Sequence, residues 1–95
     1  MPAITRLGVD PSAGHCFTPR PTDTGSPNVF INGISCNRIS DHYPTHCCGP
    51  TCHDGVASVG SSSVFTNGLA VHRIGDGISC GDISASGSPN VFAGG

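Results

Sequence analysis

A nine-residue segment that recurs along the chain most constrains its fold. It occupies residues 25–33, returns at 60–68, and appears a third time, shortened, at 87–94. The first two copies are followed by an Arg-Ile-x-Asp sequence, at 38–41 and 73–76, and a related Arg-Leu-Gly-Val-Asp stretch lies at 6–10. Repetition of this kind predicts related structural units that pack against one another. We expect a single domain of three units, approximately 1–24, 25–59 and 60–95.

The hydrophobic core of such a domain must be thin. Valine, isoleucine, leucine and phenylalanine together account for 20 of the 95 residues, close to the one-fifth below which chains tend toward disorder. A small domain with so little apolar material needs an additional clamp. Six cysteines and five histidines are the obvious source of one.

The charged residues exclude several classes of protein. Six aspartates and four arginines give a net charge of −2, with no glutamate or lysine, so no basic stripe is available for nucleic acid. No apolar run is long enough to span a membrane, and the N-terminus does not read as a signal peptide. We therefore expect a protein made in the cytoplasm that is not an integral membrane protein. In a reducing compartment, cysteine and histidine are more typical of metal sites than of disulfides.

The pattern of residues predicts an all-β fold with little or no helix. Fourteen glycines and eight prolines interrupt every candidate helical window. In the first copy Val29 and Ile31 alternate with Phe30, and the Asn32-Gly33 pair that follows suits a tight hairpin turn. Asn-Gly recurs at 67–68. Each unit is thus interpreted as a β-hairpin whose return strand carries Arg-Ile-x-Asp, and the three equivalent Phe residues are expected in the core.

Each unit also supplies one soft ligand at nearly the same distance from its arginine. The three are His15, nine residues after Arg6; His46, eight after Arg38; and Cys80, seven after Arg73. If the units surround an approximate three-fold axis, these side chains would meet on it, and His53 would complete a set of four. Three imidazoles and one thiolate suit a closed, structural zinc site. The sequence therefore predicts one Zn²⁺ bound by His15, His46, His53 and Cys80.

Other candidates compete for these roles. His42, beside Asp41, is interpreted as a solvated or Asp-paired residue, although it lies close enough in sequence to replace His46 as a ligand. His72 is expected on the surface. The repeated Arg and Asp are interpreted as local ion pairs that brace turns. Small buried apolar groups would explain Cys16, Cys36 and Cys48, while a disulfide or a second metal site stays open for Cys47, Cys48 and Cys52.

The combination of these motifs resembles the PAAR-repeat proteins over essentially the whole chain. The likeness rests on Gly-Ser-Pro-Asn-Val-Phe-x-Asn-Gly, on the following x-Arg-Ile-x-Asp, on Ser-Cys-Gly-Asp at 79–82, and on the closing Gly-Ser-Pro-Asn-Val-Phe. The Pro-Ala-Ala-Arg signature is degenerate here, since the units read Ser-Cys-Asn-Arg at 35–38 and Ala-Val-His-Arg at 70–73. The segment 14–20 is similar to the N-terminal metal-ligand region of small stand-alone members.

The resemblance implies a short cone of β-hairpins with pseudo-three-fold symmetry and a zinc near its apex. It also implies a mechanical role: one copy would cap the end of a trimeric β-helical spike, of the valine-glycine-repeat or phage central-spike kind, and sharpen it for envelope puncture. Because the chain begins and stops close to its repeats, we expect any effector to bind non-covalently. The alternatives are a small zinc-dependent hydrolase, which the lack of glutamate disfavours, and a secreted disulfide-rich binding module. We expect no enzymatic activity.

Overall fold

The computed structural model describes all 95 residues, which form strands and turns without a helix. Six strands make three antiparallel two-stranded sheets: β1 (Phe30–Ile31) with β2 (Ile34–Ser35), β3 (His42–Cys48) with β4 (Thr51–Val56), and β5 (Phe65–Thr66) with β6 (Leu69–Ala70). The body is elongated, with extents of 38 × 23 × 23 Å. The prediction of an all-β fold is confirmed. No segment forms a helix long and apolar enough to cross a membrane.

Asn-Gly pairs close the two short hairpins as expected. Asn32 and Gly33 have φ values of 56° and 78°, and the pair at 67–68 has 55° and 77°. Positive φ at both central residues is the geometry that matches the twist of two antiparallel strands, and asparagine and glycine tolerate it best. The recurring Asn-Gly therefore fixes the register of β1–β2 and of β5–β6.

The third hairpin is assembled from the two ends of the chain. Ala3 pairs with Phe92 in an antiparallel bridge, which is the counterpart of Phe30 with Ser35 and of Phe65 with Ala70. The amide of Ile4 donates to the carbonyl of Val91 at 3.1 Å, as the equivalent amides donate in the other two hairpins. The ring of three hairpins is thus closed by pairing the N-terminal segment with the C-terminal one.

A triangle of backbone hydrogen bonds joins the three units at the centre. The amide of Thr5 donates to the carbonyl of His72, that of Asn37 to Thr5, and that of His72 to Asn37, at 3.0–3.1 Å. Each of these residues immediately precedes an arginine of the repeat, and each is fully buried. The expectation that His72 lies on the surface is therefore wrong. Its place in the triangle directs the side chain inward, where Nδ1 donates to the carbonyl of Val59.

Two small apolar clusters provide the core. The first surrounds the three-fold centre, where Ile4, Cys36 and Val71 occupy equivalent positions. The second, Tyr43, Ala57 and Ile78, lies beside β3 and β4, and Cys80 packs against it. The expectation that the repeated phenylalanines lie in the core is wrong. Strand alternation turns Val29 and Val91 toward the core and leaves exposed fractions of 56% for Phe30, 59% for Phe65 and 48% for Phe92.

Arginine–aspartate pairs brace the turns of all three units, which confirms the prediction of local ion pairs. The contacts are Arg6 to Asp10 at 2.7 Å, Arg38 to Asp41 at 3.0 Å and Arg73 to Asp76 at 2.8 Å. The expectation that the return strands carry the arginines is wrong. Arg38 and Arg73 lie three residues beyond the ends of β2 and β6, where isolated bridges link one unit to the next. Unit boundaries near residues 24 and 59 stay a prediction.

Candidate metal centre

The β3–β4 hairpin presents two imidazoles side by side. His46 and His53 are partners across the hairpin, and their Nε2 atoms lie 2.8 Å apart. A register irregularity lies between Tyr43 and His46, a stretch that includes Pro44, which has no amide hydrogen for the ladder. The irregularity sets which face of β3 carries the histidine. His46 is buried and His53 half-buried.

His15 reaches the same place from the preceding connector. A disulfide between Cys16 and Cys48, with Cα atoms 5.4 Å apart, fastens the connector to β3. On the other side of His15, the amide of Gly14 donates to both carboxylate oxygens of Asp82 at 3.0 Å. The backbone on both sides of His15 is therefore fixed, and the imidazole lies with its ring centre 5.2 Å from that of His53.

Cys80 supplies the fourth donor from the loop that follows the third arginine. Its Sγ lies 3.8 Å from His46 Nε2. One ligand atom from each of the four side chains falls within 4.8 Å of the others. The structure thus brings together His15, His46, His53 and Cys80, the four residues singled out from the sequence; their role as metal ligands stays a prediction.

The protonation of the imidazoles suits a metal ion. The Nδ1 atom of His46 lies 2.8 Å from the carbonyl of Thr18, which can only accept, so Nδ1 carries the proton and Nε2 presents its lone pair to the cluster. Desolvation, followed by the nearby His46 and His15 rings, lowers the pKa of His53 and favours its neutral form. Both ring nitrogens of His15 are buried without a hydrogen-bond partner. A cation between these donors would satisfy an otherwise orphaned atom.

An aromatic ring covers the cluster. Phe17 stacks on His53 with ring centres 3.9 Å apart and lies 5.0 Å from His46. An apolar cover restricts water near the donors, as in closed structural sites. Sequence reasoning missed Phe17, Thr18 and Asp82, although a signal was present: two of them follow His15 within three residues, and the third follows Cys80 by two.

Four of the six cysteines are paired, which corrects the expectation that metal ligation would prevail over disulfides. Besides Cys16–Cys48, a second disulfide joins Cys47 to Cys52, register partners on β3 and β4 with Cα atoms 4.1 Å apart. The interpretation of Cys16 and Cys48 as small buried groups is therefore wrong. Cys36 is free and buried, as expected, and Cys80 is the other free thiol.

His42 is paired with aspartate and lies outside the cluster. Its Nδ1 contacts Asp23 and its Nε2 contacts Asp54, both at 2.8 Å. The hydrogen bonds from Asp54 and Asp23 raise the pKa of His42. The interpretation of His42 as an Asp-paired residue is confirmed, although its partners are these two carboxylates and not the adjacent Asp41. With both nitrogens engaged, it does not replace His46 in the cluster.

Asp82 is buried beside the cluster and ionised. Desolvation acts to raise its pKa, but hydrogen bonds from Ile83, Ser12 and Gly14 outweigh that effect and hold the pKa below its usual value. Its Oδ2 lies 3.5 Å from His15 Nδ1. A negative charge thus lies next to the three imidazoles and the thiol.

A family model described as the PAAR motif matches residues 18–85, well over half of the chain. This chain belongs to the PAAR motif family. PAAR proteins sit on the spike proteins of contractile injection systems, and the family is structural, not enzymatic. The PAAR match includes β1 to β6 and three members of the cluster, while His15 lies just before it. No curated protein matches the chain.

Proposed function

We propose that this PAAR protein caps the end of a trimeric β-helical spike, of the valine-glycine-repeat or phage central-spike kind, with one copy per trimer. In this role it covers the open strand edges of the spike and concentrates the force of contraction on a small point that breaches an envelope. It is made in the cytoplasm and carried at the tip of the apparatus. The function is mechanical, without catalysis.

The observation that carries this proposal is the ring of three equivalent hairpins within one chain. A ring with three-fold backbone bonding offers a three-fold partner the same contact three times. Its equivalent phenylalanines supply that contact, because each is about half exposed and all three occupy the same position in the repeat. Large apolar side chains exposed in a symmetric set are typical of an interface.

We further propose that His15, His46, His53 and Cys80 bind one structural Zn²⁺. Three nitrogens and one sulfur match the preference of zinc, and four protein donors leave no position for a reactive water. A structural zinc can contribute roughly 10–16 kcal/mol of apparent folding free energy in small zinc peptides. That contribution would stiffen the region of β3, β4 and the loop of Cys80, where the apolar core has only three buried residues.

The stoichiometry of a complex with a trimeric spike tests the capping role. We expect native mass spectrometry of the co-purified complex to show one chain per trimer. Phe65→Ser should weaken binding at least tenfold, because an exposed anchor is lost. Ile83→Ser is the matched control, since Ile83 is 46% exposed but has no counterpart in the set of three. Three chains per trimer, or equal losses in both variants, would contradict the proposal.

Metal analysis tests the zinc site. Protein purified under reducing conditions should contain about one zinc per chain. Cys80→Ser should lose most of that zinc and lower the melting temperature by roughly 10 °C or more, because a loss of about 2 kcal/mol already produces such a shift in a domain of this size. Cys36→Ser, which changes the other free thiol, should keep its zinc. Unchanged metal content in Cys80→Ser would show that the sulfur ligand is another residue.

The two alternative functions receive less support. A three-disulfide binding module needs all six cysteines paired, whereas two disulfides form and Cys36 and Cys80 are free. A zinc hydrolase needs three protein ligands and an open position, whereas four donors converge here. Both features favour the spike-tip proposal.

A further inference from the structure

Asp82 occupies an unusual place for a carboxylate in this protein. Its side chain is only 2% exposed, and it accepts hydrogen bonds from the amides of Gly14 and Ile83 at 2.8–3.0 Å. None of these donors is a cation. A buried carboxylate without a cationic partner is uncommon, so the position calls for an explanation beyond the fixing of one loop.

The nearest group that can complete its environment is the ring of His15. Asp82 Oδ2 lies 3.5 Å from His15 Nδ1, and both nitrogens of that ring are buried without a hydrogen-bond partner. The other buried imidazole of the cluster shows what such a ring requires. His46 Nδ1 lies 2.8 Å from the carbonyl of Thr18, which leaves Nε2 for the cluster. His15 has the same need for an acceptor at Nδ1.

We propose that Asp82 is a positioning residue for the metal centre, accepting the Nδ1 proton of His15 and thereby presenting His15 Nε2 to the ion. This inference rests on the proposed metal site. It assigns two tasks to the loop that follows Ile78: Cys80 donates sulfur, and Asp82, two residues later, orients an imidazole from the first connector. Metal-binding histidines are commonly held in this way, by an acceptor for the second ring nitrogen.

This contact couples the first connector to the loop that carries Cys80. Asp82 accepts from the amide of Gly14, one residue before His15, and its Oδ2 lies 3.5 Å from Nδ1 of the His15 ring that it is proposed to orient. If Asp82 only held the loop in place, its contacts with the amides would be sufficient and the tautomer of His15 would not matter. A positioning role, in contrast, requires that Nδ1 of His15 carries the proton.

Nuclear magnetic resonance of the wild-type protein loaded with zinc tests the tautomer directly. Long-range ¹H–¹⁵N correlations should show His15 with a protonated Nδ1 and a metal-bound Nε2. A metal-bound Nδ1 with a protonated Nε2 would overturn the proposal, because Asp82 would then have no proton to accept. The measurement needs no substitution and so stands even if a variant fails to fold.

Asp82→Asn then tests the energetic consequence. The amide keeps an oxygen for the Gly14 amide but loses the charge that favours the Nδ1 proton. We expect zinc affinity, measured by competition with a chromophoric chelator, to fall about 10- to 100-fold, with an altered visible spectrum of the Co²⁺ form. Asp23→Asn removes the same charge from an exposed aspartate whose side chain pairs with His42, and should change neither value.

The possible failures are distinguishable. If Asp82→Asn binds zinc like the wild type with the same Co²⁺ spectrum, Asp82 has no positioning role while the metal centre stands. If the wild-type protein itself binds no zinc, both the proposed metal site and the proposed role of Asp82 are wrong.

Discussion

Ser40 carries a left-handed backbone conformation at a position where the other two units have glycine. Its φ is 76°, and the equivalents Gly8 and Gly75 have 75° and 85°. All three amides donate to equivalent carbonyls one layer away, at 2.7–3.2 Å. The conformation is therefore imposed by the fold in every unit, and only the second unit adopts it with a side chain present.

We predict that Ser40→Gly stabilises the protein. A non-glycine residue in the left-handed region costs about 1–2 kcal/mol, while glycine loses up to about 1 kcal/mol more chain entropy on folding. The net gain in the free energy of unfolding should be about 0.5–1 kcal/mol in a urea titration. Gly75→Ser is the converse change, at a site with open space around the added Cβ, and should destabilise by a similar amount. A loss of stability in Ser40→Gly would contradict the assignment of strain.

His42 makes stability depend on pH. The two aspartate partners raise the folded pKa of His42 above the usual value near 6.5. Below that pH the protonated imidazole therefore stabilises the protein through its contacts with both carboxylates. The contribution is lost as the pH rises through the folded pKa. Because the side chain is 37% exposed, we expect less than about 1 kcal/mol.

The corresponding variant is His42→Ala, compared with the wild type by urea unfolding at pH 5.5 and pH 9. The difference in unfolding free energy should be larger at pH 5.5, and the zinc content should not change because His42 lies outside the cluster. An equal difference at both values would show that the ion pairs contribute nothing.

At the level of the hairpin, the Asn-Gly turns do more than reverse the chain. The amide group of Asn67 donates to Asn28 at 2.8 Å, and its oxygen accepts from Ser26 and from Arg38. Asn32 repeats these contacts with Asn90, Ser88 and Arg6. Each turn is thereby fastened to the neighbouring unit, and the side chain that tolerates positive φ also makes the inter-unit bonds.

Substitutions at Asn67 separate these two roles. Asn67→Gly keeps the turn geometry but loses the contacts with the neighbouring unit, so we expect a loss of about 1 kcal/mol. Asn67→Ala should lose roughly 1–2 kcal/mol more, because alanine resists positive φ. Thermal unfolding of both variants measures the difference. Equal effects would show that the turn conformation is not under strain.

The sequence predicted the hairpins but not how the third one forms. Val-Phe alternation and Asn-Gly are local signals, and the two hairpins that they predict are present. Pairing of Ala3 with Phe92 is a contact between distant segments, which no local pattern reveals. The middle copy differs at this point: Ser63 stands where the other copies have Asn28 and Asn90, and Ser61 donates to the backbone carbonyl of Gly94.

Side-chain burial was the other limit. His72 and the phenylalanines were misplaced because residue type alone favours an exposed histidine and a buried aromatic ring. Three members of the four-residue cluster, in contrast, followed from counting along the repeats, since equivalent spacing in a three-fold arrangement leads to one place, and His53 was added to complete the set. The three-fold repeat therefore predicted which residues come together in the site, but it did not predict whether a single side chain is buried or exposed.

For the whole molecule, the two disulfides and the proposed metal centre constrain the same region, around β3 and β4. Cys47–Cys52 crosses β3–β4 and Cys16–Cys48 holds the first connector, while the cluster joins both to the loop of Cys80. Cross-links of this kind restrict the unfolded chain, whereas a bound ion stabilises the folded one. The two constraints should therefore be partly redundant.

We predict that a strong chelator lowers the melting temperature under both oxidising and reducing conditions, and more under reducing ones. Calorimetry with and without a thiol reductant provides the four required measurements. The combined treatment should shift melting by roughly 10 °C or more, corresponding to about 2 kcal/mol or above. No response to the chelator in either condition would contradict a structural metal ion.

The closure of the ring by its own ends has a consequence for any truly three-fold partner. Rotation by a third of a turn presents nearly the same surface again, yet only one of the three positions holds the chain ends. Such a partner can therefore bind the protein in three orientations of nearly equal energy. This degeneracy favours the binding free energy by RT ln 3, roughly 0.6 kcal/mol. Images averaged with imposed symmetry would superimpose these orientations and blur Met1 and Gly95 while keeping the hairpins sharp.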